Sequence, residues 1–263
     1  MTVISLGAGV QSSTLFLMSC TGELPKADVA IFADTGNEPG TVYEYLEWLE
    51  KKGMEHGIPV MRVSGGNLGE DALSRISGAG RYANIPFYLA WEDGKPGGMM
   101  RRQCTGEYKL APIKRKVREL LKERKEKTAE MWIGISTDEL QRMRDSGVRY
   151  IENHYPLVEM RMSRGDCLSW YRGKAHPIPP RSACIFCPYH KDGEWRRLRE
   201  EEPEAFREAV AFDQKIREMP GIKGACYLHR SLKPLGEIDF DSPEDSGQMD
   251  FGFAGECEGM CGI

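Results

Sequence analysis

The sequence predicts an α/β fold, in which a doubly wound, mostly parallel sheet is followed by an irregular, cysteine-bearing C-terminal region. Three observations predict it: short apolar runs alternate with amphipathic segments, a glycine turn follows the first run, and this alternation is lost from about residue 150. Runs that are apolar throughout are typical of parallel strands, which are buried on both faces. We therefore expect an α/β domain over residues 1–150 and a C-terminal region over 151–263 that packs on it.

The predicted elements follow one another as strand and helix. Predicted strands cover residues 3–6, 29–33, 58–63 and 130–135. One predicted helix begins near Ser12, and three further helices are predicted over 41–52, 109–127 and 194–218. Pro112 is compatible with the first turn of its helix. Residues 64–103 are rich in Gly and carry little periodicity, so we expect a mobile segment over the site. Residues from 236 onward predict no regular element.

Composition narrows the class of protein. The 263 residues are 40% hydrophobic and 29% charged, which is ordinary for a folded globular chain. No apolar run is long enough to span a membrane, and the N-terminus lacks the features of a signal peptide. We expect a cytoplasmic protein without a membrane partner.

Charge is unevenly distributed around the net value of −4. Residues 101–127 hold eleven Lys and Arg against four Glu, whereas residues 236–263 hold eight acidic residues and no Lys or Arg. This asymmetry predicts a local anion-binding face. Lys109 and Arg115 are candidates for phosphate or nucleic-acid contacts; the alternative for the rest of this helix is a solvated face with i,i+4 ion pairs.

The glycine turn between the first strand and helix is the clearest candidate site. Backbone N–H groups and a helix N-terminus converge there, which favours an anion such as phosphate. A Walker A loop requires a Gly-Lys-Ser/Thr ending, which is absent. A Rossmann loop requires a third Gly or Ala where Ser12 stands, although Asp34 supplies a suitable acid. A PP-loop fits better because the helix opens with Ser12 and Ser13, and a turn without a ligand is the remaining alternative.

Eight cysteines are unusual in a reducing compartment unless some bind metal or do chemistry. Cys184 and Cys187 form a CxxC suited to zinc or iron–sulfur, or to a thioredoxin-like redox pair. Cys104 follows two arginines, which favour its thiolate. A structural zinc site with four cysteines is the main alternative to an iron–sulfur cluster. Cys20 and Cys167 are expected to be buried as small hydrophobic residues.

Taken in order, these segments resemble the phosphoadenosine/adenosine phosphosulfate reductase family of the PP-loop superfamily, which is similar to ATP pyrophosphatases that thiolate nucleic acids. The resemblance spans most of residues 3–261. Its landmarks are Gly9-Val10-Gln11-Ser12-Ser13, similar to a modified PP-loop; Asp34-Thr35-Gly36, similar to a DTG motif; residues 104–109 with Pro112 and Arg115, similar to CCxxRKxxPLxR; Trp132, Gly134 and Arg142 or Arg144; the CxxC; and Glu256-Cys257, similar to the reductase's C-terminal nucleophile segment.

The resemblance implies roles for individual residues. An adenine nucleotide, either ATP with Mg²⁺ or a sulfonucleotide, would bind at Ser5, Gly7, Gly9, Gln11, Ser12, Ser13, Asp34, Thr35, Gly36, Arg115, Gly134 and Arg142. A [4Fe-4S] cluster would be bound by Cys104, Cys184, Cys187 and a fourth ligand, with Cys257, Cys261 and Cys226 as candidates. Lys109, Cys257 and Cys261 would take part in the chemistry.

Three departures from the reductase pattern affect the expected reaction. Thr105 replaces the second of two adjacent cysteines, Ser136 stands where an Arg is usual, and Cys261 is an additional tail cysteine. We therefore expect ATP-dependent adenylation of a substrate, such as a nucleobase, followed by sulfur transfer from a sulfur donor. The alternatives are reduction of a sulfonucleotide to sulfite by a thiol, and a non-catalytic, zinc-stabilised nucleotide or nucleic-acid binder.

Overall fold

A central sheet of five parallel strands organises the chain, of which the computed structural model describes residues 1–74 and 85–241. Its strand order is β3-β2-β1-β6-β7. The strands are β1 Thr2–Leu6, β2 Val29–Asp34, β3 Val60–Ser64, β6 Ala129–Ile133 and β7 Ile151–His154. The doubly wound fold predicted from the sequence is confirmed. The strand order reverses between β1 and β6, and ligands of such sheets bind beyond the carboxyl ends of the strands at this point.

The α-helices of the described residues are α1 Val10–Thr21, α2 Gly40–His56, α3 Leu68–Ser74, α4 Ala111–Arg124, α5 Pro156–Glu159, α6 Arg164–Lys174, α7 Asp192–Glu201 and α8 Pro203–Lys215. Helices α1, α2, α4, α5 and α6 pack on the central sheet, whereas α3, α7 and α8 contribute to a separate core. On one face, Ile4 and Trp132 pack with residues of α1, α2 and α6. On the other, Val3 and Met131 pack with residues of α4. The two-residue alternation along β1 and β6 explains why each strand contributes to both cores.

Two predicted helices differ from the observed ones. The predicted helix over 194–218 is two helices, α7 and α8, because Pro203 lacks a backbone N–H and begins a new helix instead of continuing the old one. The predicted helix over 109–127 begins earlier, as a π-helix over Thr105–Leu110 that continues into α4. Pro112 lies in the first turn of α4, as expected.

A second, antiparallel sheet was not predicted. It has the order β5-β4-β8, with β4 Tyr88–Ala90, β5 Pro96–Met99 and β8 Ala225–Tyr227. The segment expected to be irregular over 64–103 thus contains α3 and two strands, while its residues 75–84 lie outside the described part. The region from 150 is also more regular than expected, and β7 extends the central sheet past that boundary.

The second sheet belongs to a separate core. Phe87 and Tyr108 pack there with Trp195 and Phe212, so this core combines residues from both sides of position 150. Phe186, directly beside Cys187, stacks on Phe212 with ring centroids 4.1 Å apart. This core therefore supports the segment that carries the CxxC.

No helix among residues 1–74 and 85–241 is long and apolar enough to cross a membrane.

The N-terminus of α6 offers a test of local stability. The Ser163 hydroxyl accepts from the Asp166 backbone N–H at 3.2 Å, and the Asp166 carboxylate accepts from the Ser163 N–H at 2.8 Å. Replacing Ser163 with alanine is expected to lower the free energy of unfolding by about 1 kcal/mol. Ser169→Ala, within the same helix, is the matched control. Urea denaturation that gave equal midpoints for the two variants would contradict this role for the capping box.

Candidate functional site

The glycine loop joins β1 to α1 at the strand-order reversal. Gly9 precedes the first turn of α1, and Ala8 takes a left-handed conformation with φ of 58°. The Gly7 N–H donates to the Ser12 hydroxyl at 3.1 Å, which fixes the shape of the loop. The N-terminus of α1 therefore directs its free backbone N–H groups toward the end of the sheet.

Gly134 holds the glycine loop in place by close packing. A Cβ atom at this position would lie 2.5 Å from the Ser12 backbone nitrogen and 2.7 Å from its Cα. Backbone atoms cannot move aside as the end of a flexible side chain can, so only glycine fits. Gly134 therefore acts on the predicted nucleotide loop through packing.

Gln11 begins a chain of polar contacts behind the loop. Its Nε2 donates to Glu139 Oε2 at 3.1 Å, and Arg142 forms an ion pair with the same carboxylate. Gln11 Oε1 and the neighbouring Ser5 Oγ are buried, without a hydrogen-bond partner in the described part of the chain. Buried polar atoms normally have a hydrogen-bond partner, and a buried acceptor without one lowers the stability of the fold. The predicted residues Ser5, Gln11 and Arg142 thus lie in or directly behind the loop.

A cavity of about 250 Å³ opens at Gly9 and Val10. Three arginines line it: Arg164, Arg181 and Arg197. Arg181 also pairs with Glu194. Burial, together with the nearby Arg181 and Arg197, lowers the pKa of His190 to about 3. The positive charge and the helix N-terminus both favour an anion in this cavity, which we call the arginine cavity.

The end of β2 forms the adjoining turn. The Asp34 carboxylate accepts from the Gly36 N–H at 2.7 Å and from the Tyr43 hydroxyl at 2.8 Å. Gly36 has φ of 76°, which glycine tolerates best. The Thr35 hydroxyl lies 3.1 Å from Cys184 Sγ. The predicted DTG residues therefore connect the sheet directly to the CxxC.

Glu38 is a buried carboxylate that the sequence did not bring to attention. Lys109 Nζ donates to its Oε1 at 3.3 Å, and the Ser182 hydroxyl donates to its Oε2 at 3.4 Å. Cys184 Sγ lies 3.9 Å from Glu38 Oε1. The side chains of Glu38 and Lys109 are 0% and 6% exposed, so this ion pair is withdrawn from water.

Three predicted metal ligands meet in one small cavity. Cys104, Cys184 and Cys187 line a space of about 30 Å³ together with Thr35 and Lys109. We call this the cysteine cavity. The Cys187 N–H donates to the Cys184 carbonyl at 2.9 Å, which gives the tight turn expected of a CxxC. Burial, and then the Glu38 carboxylate, raise the pKa of Cys184 well above its usual range, against the opposing effects of Lys109 and Thr35.

The three cysteines line the same cavity. Among residues 1–74 and 85–241, no group of three Cys, His, Asp or Glu side chains is placed to hold a single metal ion. Four thiolates bind a cluster at separate iron atoms, whereas a structural zinc ion needs all its ligands at one centre.

Other predicted residues lie elsewhere. Arg115 is exposed on α4 and lines neither the arginine cavity nor the cysteine cavity. Cys257 and Cys261 lie outside the described residues. Cys226, a candidate fourth ligand, is in β8 and is packed in the second core. Cys167 is buried in the core around α1 as predicted, whereas Cys20 is partly buried.

Several site residues were missed by sequence reasoning. Glu38 follows the Asp34-Thr35-Gly36 turn closely, so its proximity in sequence was an available signal. Arg164, Arg181 and Arg197 belong to separate segments, and no local motif joins them. Their convergence depends on the packing of α6 and α7 near α1.

No protein-family model matches this chain, and no curated protein matches it.

Proposed function

We propose that this protein is a PP-loop-type enzyme that uses ATP to adenylate a substrate and then transfers sulfur to it, with an iron–sulfur cluster at Cys104, Cys184 and Cys187. The proposal is supported by the sequence resemblance and by the placement of its key residues. The exposed Lys and Arg side chains of α4 would bind a nucleic-acid backbone. A carbonyl group on a nucleobase is therefore the class of substrate that we propose.

One observation carries the proposal: the arginine cavity and the cysteine cavity adjoin. Ser182 lines the first, and Cys184, two residues later, lines the second. Glu38 contacts both side chains. A nucleotide with its phosphates at Gly9 would therefore lie beside the thiols, which is where activation by ATP and delivery of sulfur must meet.

The donor set fits a cluster in its chemistry. Cysteine thiolates are the usual ligands of iron–sulfur clusters, and three cysteines line one cavity here. The fourth position would be taken by a tail cysteine or left open to substrate or sulfur. When bound, the cluster would supply iron that binds sulfur. The buried Lys109 would offset part of the negative charge of the thiolates.

The chain's own residues have clear tasks in the first step. The backbone N–H groups at Gly9 and Val10 would bind the phosphates, and Arg164, Arg181 and Arg197 would neutralise their charge. Mg²⁺ bound with the nucleotide would supply further positive charge for the phosphates. The substrate carbonyl oxygen attacks the α-phosphorus, and the bond to the bridging oxygen of pyrophosphate breaks. Fixed positive charge stabilises the leaving pyrophosphate.

The second step replaces oxygen by sulfur. A sulfur nucleophile at the oxidation level of hydrosulfide attacks the activated carbon, and AMP leaves with the former carbonyl oxygen. The carbon keeps its oxidation state, so no electron acceptor is required. A persulfide on Cys257 or Cys261 would instead attack with its outer sulfur and leave a disulfide between the substrate and the cysteine. Two equivalents of a thiol reductant would cleave this disulfide, which frees the thiolated product and the cysteine and oxidises the reductant to its own disulfide.

The decisive experiment is isotope exchange between pyrophosphate and ATP. Protein purified without oxygen is mixed with ATP, Mg²⁺, labelled pyrophosphate and candidate nucleobase substrates. Substrate-dependent label in ATP supports adenylation. Release of sulfite from a sulfonucleotide without such exchange would instead identify a reductase. A colourless protein with one zinc ion and no turnover would identify a binding module.

Arg197 provides a matched test of the arginine cavity. Arg197→Gln is expected to weaken ATP binding about tenfold, because one charge-assisted hydrogen bond is lost. Arg207→Gln, on the exposed face of α8, is the control and should leave binding unchanged. Isothermal titration calorimetry measures both affinities. Equal affinities in the two variants would place the phosphates elsewhere.

The cysteine cavity is tested by metal content. Cys104→Ser is expected to lose most of the iron and the visible absorption of the anaerobically purified protein. Cys20→Ser should retain both, because Cys20 belongs to the core around α1. Iron retained fully in Cys104→Ser would contradict the assignment of this residue as a ligand.

A further inference from the structure

A third cavity lies under α4, on the face of the central sheet opposite α1, and Arg142 is among its lining residues. It encloses about 200 Å³ between α4, β6, β7 and the loop over residues 142–147. Its apolar wall includes Ile113, Ile133 and Ile135, which belong to the core under α4. The arginine cavity is instead lined by Val10 and Leu168, which pack with the core around α1. The two cavities are therefore distinct.

The wall of the third cavity includes Asn153, a residue with an unsatisfied acceptor. Asn153 Nδ2 donates to the Arg144 carbonyl at 2.8 Å, which fixes the orientation of the amide. Asn153 Oδ1 is buried and has no hydrogen-bond partner among the described residues. An acceptor held in this way favours a ligand that brings an N–H donor.

The surrounding loop is rigidly held. The Tyr155 hydroxyl donates to the Arg144 carbonyl at 2.5 Å and accepts from the Arg144 N–H at 2.9 Å. Lys114 Nζ donates to the Ser146 carbonyl at 2.6 Å. These contacts form the cavity without a ligand, so little ordering is required when one binds.

Positive charge dominates the rim. The Arg144 guanidinium donates to the carbonyls of Gln141 and Met143, and it pairs with no carboxylate within residues 1–74 and 85–241. Lys114 likewise forms no ion pair in this part of the chain. Asp145 is the acidic side chain that lines the cavity beside them. The net positive charge of these side chains attracts an anionic group to the opening of the third cavity.

We propose that this cavity is a second nucleotide site, which binds an amino-bearing nucleobase through Asn153 and its phosphate through Arg144. A flat ring fits the apolar wall, and an exocyclic amine satisfies the buried acceptor. The volume suits one base better than a larger ligand. This site goes beyond the proposed function, and binding here does not depend on adenylation or on the cluster.

The ligand itself supplies the sharpest test. AMP is compared with purine riboside 5′-monophosphate, which differs in lacking the amine. Calorimetry on the full chain should show AMP binding about tenfold tighter, because the analogue leaves Asn153 Oδ1 unpaired. In Asn153→Leu this preference should vanish. The ligand comparison in the natural protein remains informative even if the variant folds poorly.

Arg144→Gln is expected to weaken AMP binding about tenfold through loss of a charge-assisted contact. Arg149→Gln, an exposed arginine five residues along the chain, is the control and should bind AMP normally. A single-stranded oligonucleotide is tested beside AMP. Tighter, salt-sensitive binding of the oligonucleotide identifies a strand as the source of the base, and equal or weaker binding identifies a free nucleotide.

Two outcomes would overturn the proposal. One is the absence of AMP binding at millimolar concentration. The other is AMP binding that is lost in Arg197→Gln but unchanged in Arg144→Gln and Asn153→Leu, which would place the nucleotide in the arginine cavity. Pyrophosphate exchange is measured separately, so failure of this site is distinguishable from failure of the proposed function.

Discussion

Replacing Lys109 with methionine is expected to lower the free energy of unfolding by about 3–5 kcal/mol. Methionine keeps most of the side-chain volume but removes the ammonium group that pairs with the buried Glu38 carboxylate at 3.3 Å. Ser182 and Cys184, which also contact this carboxylate, are neutral. Urea denaturation measures the loss.

The double variant Lys109→Met/Glu38→Gln separates the buried charge from lost packing. It should recover a large part of the stability, because the variant no longer buries the negative charge of Glu38. Lys116→Met is the matched control: its ion pair with Glu119 is solvent-exposed, so the change should be within about 1 kcal/mol. A double variant no more stable than Lys109→Met would show that the ion pair is not the cause.

Replacing Gly134 with valine is expected to destabilise the fold by about 1–3 kcal/mol and to abolish ATP binding. The added Cβ alone would overlap the Ser12 backbone, so the first turn of α1 must shift. Such a shift moves the N–H groups that would bind phosphate. Thermal unfolding and ATP titration measure the two effects.

Gly173→Ala is the control for this substitution. A Cβ at Gly173, within α6, meets no other atom within 4 Å. Alanine there should raise stability by about 0.5–1 kcal/mol, since it favours the helix. Normal ATP affinity in a folded Gly134→Val protein would mean that the glycine loop does not bind the phosphates.

The parallel sheet was predictable because each of its buried strands is recognisable from the apolar residues of one short segment. Residues 29–33 are apolar without interruption, and in the structure they pair with β1 on one side and β3 on the other. The antiparallel sheet was not predictable in this way. Its strand β4 has three residues and pairs with β8 far along the chain, so no local period reveals it. Pro203 was a local signal that should have divided the helix predicted over 194–218.

The candidate site shows the same division. The CxxC spacing identified Cys184 and Cys187 as candidate ligands, and the family resemblance added Cys104. The arginine cavity depends on three residues from three segments, and its existence follows only from tertiary packing. Glu38 is intermediate, since a carboxylate beside the Asp34-Thr35-Gly36 turn was visible but its burial was not. Arg115, to which the family resemblance assigns a nucleotide contact, is exposed on α4, and that role stays a prediction.

The pairing of β4 with β8 also has a consequence for synthesis on the ribosome. All five strands of the central sheet lie within the first 154 residues, so a nascent chain carries the whole sheet early. Strand β4, in contrast, waits for residues 225–227 to leave the exit tunnel. The cysteine cavity likewise cannot form until Cys184 and Cys187, which line it with Cys104, have been synthesised. Translation therefore delivers the parallel sheet first and the cysteine cavity late, so cofactor insertion would follow, and not guide, formation of the sheet.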